Sequence, residues 1–271
     1  EFISVIARMG YDMLMLYTED TYELEDEPYF GYMRGRYSPA ELKRLDAFAR
    51  EKGVELVPCI QTLAHLGAIT RWQTYGEKCV DVNDILLVGQ PETYALIDKM
   101  FARAAECFTS RRIHIGMDEA YMVGLGRYLD LHGWKPRFEV LREHLAHISE
   151  IAKKYGFSCM LWSDMFVKAA NGGEYYPETF RMTQELVDAV PPEMQLVYWD
   201  YSHTEQSFYE KMIDGHRNFR NELWFSGVAW SCLGFTPHNR FSMRAADASM
   251  AACRGRGGED VLIASSEDDG G

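Results

Sequence analysis

The sequence predicts an α/β fold, a (β/α)8 or TIM barrel, on three observations. Short apolar segments alternate with amphipathic helical segments along the chain of 271 residues. The strand-like segments are almost continuously apolar, which is typical of parallel strands covered by helices. The repeating unit of about 40 residues suits one strand, one helix and their loops. Because a barrel of this kind uses about 250 residues, we expect one catalytic domain over residues 1–271.

Seven segments are predicted as strands, because each is an apolar run of strand length with polar or turn residues at its ends. In chain order these segments are 12–18, 54–61, 112–118, 157–163, 195–201, 223–230 and 261–266.

The helices between them carry start and stop signals. Ser38 and Glu41 form a capping box around Pro39, and Gly53 ends the helix that follows. Apolar residues then recur at the i, i+3, i+4 spacing of a helix face. This spacing, strict in some segments and less regular in others, predicts further helices over 1–9, 97–108, 138–155, 178–190, 204–214 and 241–253.

The count of elements falls short of a full barrel. A helix comes before the first predicted strand, and no helix follows the last one. We therefore expect a truncated barrel, cut from a longer chain, that lacks the first strand and the last helix. An open doubly wound sheet is the competing architecture, but no G-x-G-x-x-G sequence follows a predicted strand.

Composition excludes several classes of protein. The hydrophobic share of 47% and charged share of 25% are those of a globular domain. The net charge of −13 argues against a nucleic-acid partner, which needs a basic face. No run approaches the roughly 18 apolar residues of a membrane span. The sequence favours a cytoplasmic location, leaves secretion open because the chain starts without Met, and sets no oligomeric state.

We expect neither a metal nor a cofactor. The six cysteines form no C-x-x-C pair and are predicted to be buried, reduced thiols. His144 and His147 lie three residues apart without an obvious third ligand, and no H-E-x-x-H sequence is present. The sequence Gly124-Leu125-Gly126 lacks the strand-turn-helix context of a nucleotide-binding loop.

Polar and aromatic residues collect where the predicted strands end. In a barrel these carboxyl ends carry the active site. Indole rings stack on the apolar face of a pyranose, and carboxylates accept hydrogen bonds from its hydroxyls, so the pattern indicates a sugar site. The residues concerned are Asp20, His65, Asp118, Glu119, Trp162, Asp164, Trp199, Tyr201 and Trp230.

The strand predicted over 112–118 is the most informative segment. Alternation along a strand predicts that His114, Gly116 and Asp118 share the face towards the barrel interior. Glu119 follows the strand end and can reach the mouth. From the residue types alone, a helix N-cap remains the alternative for the two acids, and a buried structural histidine remains the alternative for His114.

Residues 113–119, IHIGMDE, resemble the H-x-G-x-D-E motif of the β-N-acetylhexosaminidases of glycoside hydrolase family 20. The likeness extends over nearly the whole chain and in the same order. The segments that resemble the compact bacterial branch of the family are 17–24, 60–66, 116–133, 161–166, 198–201 and 235–239.

The resemblance implies a retaining exo-β-N-acetylhexosaminidase that hydrolyses terminal β-linked N-acetylglucosamine or N-acetylgalactosamine. In this family the 2-acetamido oxygen of the substrate attacks C1 and forms an oxazolinium ion. Glu119 would be the general acid and then the general base. Asp118 would accept the acetamido N–H and stabilise the charge of the intermediate. The partner is a small molecule or an oligosaccharide that ends in an N-acetylhexosamine.

The resemblance also implies roles for the other residues at the strand ends. Trp162, Trp199 and Trp230 would surround the acetamido group and the ring, with ordinary core packing as the alternative. Tyr201 is the candidate donor to the acetamido oxygen. The residues that would bind hydroxyls or orient other side chains are Asp20, His65, His114 and Asp164.

Two departures from the family pattern stand out. The arginine that ends the first barrel strand has no counterpart here, and Ser266 stands where relatives have an aromatic residue. Two other functions stay open: a non-catalytic sugar-binding barrel, and a relative with another substrate, such as a disaccharide-releasing glycosidase. The presence of both Asp118 and Glu119 counts against the binding protein, which has no need of an acid.

Overall fold

The computed structural model describes residues 1–231, 236–258 and 260–265. Three residues that the predictions above include lie outside the described residues: the sixth cysteine Cys232, Phe235 of the segment 235–239, and Ser266. The chain packs as two compact units, the first covering Glu1–Leu161 and the second starting at Trp162.

The seven predicted strands are all present. Six are slightly shorter than predicted, the strand predicted over 112–118 is much shorter, and a small hairpin adds two more strands. In chain order the strands are β1 (Met13–Tyr17), β2 (Glu55–Cys59), β3 (Val80–Val82), β4 (Ile85–Leu86), β5 (Arg112–His114), β6 (Ser158–Trp162), β7 (Gln195–Trp199), β8 (Leu223–Val228) and β9 (Val261–Ala264).

The predicted strands pair in parallel. In the first unit β1 lies beside β2, β2 beside β5, and β5 beside β6. In the second unit β7 lies beside β8 and β8 beside β9. Parallel neighbours bring their carboxyl ends to the same edge of a sheet, which is where the predicted site residues follow. The additional strands β3 and β4 form an antiparallel hairpin, which the sequence analysis did not predict.

The long predicted helices are also present. Four shorter helices were not predicted, and the helix predicted over 178–190 is reduced to a single turn. The helices are α1 (Phe2–Met9), α2 (Pro39–Glu51), α3 (Gly67–Thr70), α4 (Gln73–Cys79), α5 (Pro91–Cys107), α6 (Arg127–His132), α7 (Arg137–Tyr155), α8 (Asp164–Ala170), α9 (Gln184–Val187), α10 (Gln206–His216) and α11 (Asn239–Gly255).

The predicted start of α2 and the predicted end of α7 are confirmed by the structure. The Ser38 hydroxyl accepts from the backbone N–H of Glu41, and the Glu41 carboxylate accepts from the N–H of Ser38, so the capping box starts α2. Gly156 ends α7 in the left-handed conformation. The apolar faces of α5 and α7 are buried, including Met100, Phe101 and Leu145. These faces form part of the hydrophobic core.

Five of the six cysteines lie in the described residues, and all five are buried free thiols, as predicted: Cys59, Cys79, Cys107, Cys159 and Cys253. No helix in the described part of the chain combines the length and apolar character that crossing a bilayer requires.

Candidate active site

A left-handed turn follows β5 and carries the two adjacent acids. Gly116, Met117 and Glu119 all have positive φ, at 70°, 73° and 53°. A Cβ on Gly116 would lie 1.9 Å from Oε1 of Gln61, so only glycine fits there. Left-handed backbone at a residue other than glycine costs on the order of 1–3 kcal/mol and is concentrated at functional sites. The strand therefore ends at His114, and the alternation predicted beyond that residue is wrong.

Asp118 is held from two sides. Its side chain is only 20% exposed, and its Oδ2 lies 3.1 Å from Nε2 of His65. Gln61 donates from Nε2 to Oδ1 of Asp118 over 2.9 Å. Burial opposes ionisation of Asp118, but the contacts from His65 and Gln61 outweigh it and lower the pKa of Asp118. Asp118 is thus a fixed carboxylate with a set orientation.

His65 is the cationic partner of Asp118. Its backbone N–H donates to Oδ2 of Asp84 over 3.0 Å, and its φ is 57°. The contact with the Asp118 carboxylate, opposed by partial burial, raises the pKa of His65 to about 9. At neutral pH the two side chains therefore form an imidazolium–carboxylate pair.

Glu119 lies beside this pair and reaches solvent. Its side chain is 42% exposed, and one carboxylate oxygen lies 3.6 Å from Nε2 of His65. The other oxygen accepts from the hydroxyl of Tyr121 over 2.8 Å. The structure therefore brings together Asp118, Glu119 and His65, three of the predicted site residues.

The ion pair predicts a pH-dependent stability. The contribution of His65 to the free energy of unfolding is fully present below its ordinary pKa of 6.5 and is lost as pH rises through about 9. The contribution of Asp118 is present above the ordinary pKa of 3.8 and is lost as pH falls below that value. We expect His65→Asn to destabilise the protein by about 2 kcal/mol between pH 5 and 6, with a smaller effect at higher pH.

Urea unfolding of the wild type and His65→Asn at a series of pH values measures this difference. Asparagine tolerates the left-handed backbone of position 65, so the variant removes the charge without adding backbone strain. A difference that is the same at pH 6 and pH 10 would contradict the ion pair.

Asp20 is an anchor within the loop that follows β1. It is buried, its Oδ2 accepts from the N–H of Gly31, and its Oδ1 lies 3.0 Å from Nε of Arg34. Another nitrogen of Arg34 donates to Glu19, which in turn accepts from the hydroxyl of Tyr17. Of its two predicted roles, ligand or orienting residue, this position fits the second.

His114 fits its structural alternative. The ring is fully buried, and its Nδ1 accepts from the backbone N–H of Gly116 over 3.1 Å. Burial lowers the pKa of His114 to about 4, so the ring is neutral at physiological pH. His114 therefore supports the turn that presents the acids.

The second unit gathers three of the predicted aromatic residues. The rings of Trp199 and Tyr201 lie 5.2 Å apart, and the indole N–H of Trp230 donates to the carbonyl of Tyr201 over 2.7 Å. The hydroxyl of Tyr175 accepts from the N–H of Trp199, and the hydroxyl of Tyr176 donates to its carbonyl. These contacts fix the backbone at the end of β7.

Trp162 and Asp164 lie on either side of the start of α8. Trp162 is the last residue of β6 and is partly buried. Asp164 is fully buried in the first turn of α8, where a negative charge suits the helix dipole.

Several polar residues at these strand ends were not selected from the sequence. Gln61 and Tyr121 contact the two acids directly. In the second unit the buried Asp200 accepts from the Tyr198 hydroxyl, and both of its oxygens lie within 3.0 Å of Nδ1 of His203. Their position in the sequence could have identified two of them, since Gln61 and Asp200 each follow a strand end.

A cavity of about 360 Å³ at the amino ends of β2 and β5 is not a candidate site. Its acids are already engaged, because Asp46 accepts from Thr109 and Glu55 accepts from Ser110. It also lies at the end of the strands opposite to the paired acids, where barrel enzymes do not place their chemistry. In the part of the chain that the structure describes, no group of three or more potential ligands is placed to hold a metal ion.

Parallel strands in a strand-helix repeat, with two adjacent acids where one strand ends, are the features expected of a glycoside hydrolase built on a (β/α)8 barrel. The chain belongs to one family of that class, since residues 15–218 match the catalytic domain of glycosyl hydrolase family 20.

Solved structures of that family show the same fold. A β-N-acetylhexosaminidase structure aligns with 98% of this chain and 62% of its own, at 15% identity and a TM-score of 0.69. An exo-β-N-acetylglucosaminidase from Vibrio harveyi, in complex with N-acetylglucosamine, aligns with 86% of this chain and 39% of its own, at 15% identity and a TM-score of 0.64. The predicted (β/α)8-barrel fold class is therefore confirmed.

Two curated relatives match part of the chain at low sequence identity. Hexosaminidase D of Homo sapiens is 23% identical over 210 residues, which are 74% of this chain and 41% of the relative. Hexosaminidase D of Bos taurus is 25% identical over 134 residues, 46% of this chain and 37% of the relative. The chain thus spans about two fifths of the length of these relatives.

Proposed function

We propose that the protein is a retaining exo-β-N-acetylhexosaminidase that uses the 2-acetamido group of its substrate as the nucleophile. The observation that carries the proposal is the pair of adjacent acids after β5. Asp118 is a fixed carboxylate held by His65 and Gln61, while Glu119 beside it is open to solvent. Two acids in such different surroundings suit two different roles.

The geometry of the pair favours substrate assistance over a protein nucleophile. Both carboxylates lie within 3.6 Å of one nitrogen, Nε2 of His65. A retaining enzyme with its own nucleophile needs two carboxyl groups on opposite sides of the glycosidic bond, about 5–5.5 Å apart. Two consecutive residues on one turn cannot readily place their carboxyl groups on opposite sides of a sugar. The attacking group on the other side then comes from the substrate.

In the proposed reaction, Asp118 accepts the acetamido N–H and directs the carbonyl oxygen at C1. Its negative charge stabilises the positive oxazolinium as the C1–O bond to the leaving group breaks. Glu119 gives its proton to the leaving oxygen and then takes a proton from the water that opens the oxazolinium ring. The product keeps the β configuration because C1 is inverted twice.

The sugar contacts follow from the family resemblance. Trp162, Trp199 and Trp230 would supply apolar surface to the acetamido group and the ring, and Tyr201 would donate to the acetamido oxygen. His65 would orient both acids, while His114, Asp164 and Asp20 would support the side chains that touch the sugar.

The test is a comparison of two substrates that differ only at C2. We expect aryl glycosides with a 2-acetamido group to be cleaved and the matching 2-hydroxy sugars to be cleaved at least a thousandfold more slowly, because the enzyme has no nucleophile of its own. Equal turnover would identify a protein carboxylate as the nucleophile. Binding without hydrolysis would indicate the non-catalytic alternative. A disaccharide-releasing enzyme would leave both monosaccharide substrates intact but release a disaccharide from an aryl glycoside of two sugars.

A further inference from the structure

An aromatic cluster outside the paired acids is built from two loops of the first unit. We call it the aromatic platform and define it by the rings of Tyr29, Tyr32 and Trp72. The ring centroids of Tyr29 and Trp72 are 5.2 Å apart, those of Tyr32 and Trp72 are 5.5 Å apart, and those of Tyr29 and Tyr32 are 5.9 Å apart. Each ring therefore touches the other two.

The platform presents its tyrosines to solvent. Tyr29 is 42% exposed and Tyr32 is 44% exposed, whereas Trp72 is partly buried behind them. The guanidinium of Arg71 lies over the indole of Trp72, 5.0 Å from its centroid. Trp72 thus backs the cluster, and the two tyrosines supply the accessible surface.

The loop that carries the tyrosines is fixed before any ligand arrives. Asp20 accepts from the N–H of Gly31, and a Cβ on Gly31 would lie 2.2 Å from the carbonyl oxygen of Asp20. Arg36 donates to the carbonyl oxygens of Phe30 and Pro28. A rigid loop that exposes aromatic rings loses little conformational entropy on binding, which is the property of a preformed site.

The platform is connected to the paired acids through both loops. Arg34 lies two residues after Tyr32 and forms an ion pair with Glu19. The hydroxyl of Tyr17 contacts both Glu19 and Gln61. Gln61 in turn donates to Asp118. On the other loop, α3 lies between His65 and Trp72.

We propose that the aromatic platform binds a pyranose ring on the leaving-group side of the scissile bond, so that the preferred substrates are oligosaccharides rather than simple glycosides. This rests on the proposed function, because it places a second sugar beside the reacting one. Flat rings with the guanidinium of Arg71 beside them match a sugar, which has an apolar face and a rim of hydroxyls.

The size of the platform argues against a protein partner. An aromatic side chain buries about 150–250 Å² when fully covered, and the two tyrosines are already more than half covered. The accessible area is about that of one sugar ring, well below the roughly 800 Å² per partner of a stable protein interface.

The experiment compares two substrates in four proteins. The substrates are the β-linked trimer of N-acetylglucosamine and methyl β-N-acetylglucosaminide, which lacks a second sugar. The proteins are the wild type, the double variants Tyr29→Ala/Tyr32→Ala and Tyr29→Phe/Tyr32→Phe, and Tyr11→Ala as a matched control. Tyr11 is equally exposed, at 43%, but precedes β1 at its amino end. A Tyr29→Phe/Tyr32→Phe variant retains the rings and should retain activity.

We expect the double alanine variant to lose about tenfold in kcat/KM for the trimer, mainly through KM, with no change for the methyl glycoside. Tyr11→Ala should change neither. Equal losses on both substrates would overturn the proposal by showing a purely structural role, and so would no loss on either.

A binding measurement separates this proposal from the proposed function. Calorimetric titration of the trimer into Glu119→Gln, with and without the two alanine substitutions, reports the platform without turnover. We expect about tenfold weaker binding when the tyrosines are removed, and unchanged affinity would overturn the platform. If the wild type cleaves neither substrate, the proposed function is overturned instead.

Discussion

Hydrolysis of an alkyl N-acetylglucosaminide should fall by about 10²–10⁴-fold when Glu119 is replaced by glutamine, the usual contribution of general acid–base catalysis. An alkoxide leaves only if a proton reaches it in the transition state. Glutamine keeps the shape of the side chain and its hydrogen bond with Tyr121 but cannot transfer that proton. With a dinitrophenyl leaving group, which needs almost no protonation, the first chemical step should be nearly unchanged.

Presteady-state kinetics with the two leaving groups measures this contrast, because the first step is then observed before water attacks. Glu150→Gln is a suitable control, since Glu150 is an exposed acid on α7 whose partner is Lys153. An equal loss with both leaving groups would mean that Glu119 does not act as the acid.

The strands could be predicted well because each is short, apolar and closed by turn residues. The exception is the strand predicted over 112–118, which ends at His114. The left-handed conformations of Met117 and Glu119 shorten it, and residues of these types give no sign of positive φ in a sequence. The strain is maintained by tertiary contacts such as the bond from the Met117 N–H to Gln61.

The site could be predicted only in part, because some of its residues lie far apart in the sequence. Asp118 and Glu119 are adjacent in the chain, so a motif reveals them. Their partners Gln61 and His65 come from a strand end more than 50 residues earlier, and only the pairing of β2 with β5 brings them together. The hairpin of β3 and β4 was missed because its strands are three and two residues long, below the length at which alternation is visible.

Replacement of Asp118 should have the second large effect on the rate of hydrolysis. Asp118→Asn should slow formation of the oxazolinium by about 10²–10³-fold, the usual loss when one group that stabilises developing charge is removed. Unlike the loss in Glu119→Gln, this one should be the same for alkyl and dinitrophenyl leaving groups. The missing negative charge acts on the sugar and its acetamido group, whichever leaving group departs.

A thiazoline analogue of the oxazolinium provides an independent measurement, since it binds without being turned over. Its affinity should fall in Asp118→Asn and stay unchanged in Asp98→Asn, a control on α5 whose carboxylate pairs with Lys154. The substitution at Asp118 would also remove the nearer of the two carboxylates that His65 contacts, so the stability of the variant should be compared at pH 9 or above, where the His65–Asp118 pair contributes least. If Asp118→Asn binds the thiazoline as tightly as the wild type, Asp118 does not stabilise the intermediate, and the substrate-assisted mechanism loses its main support in this protein.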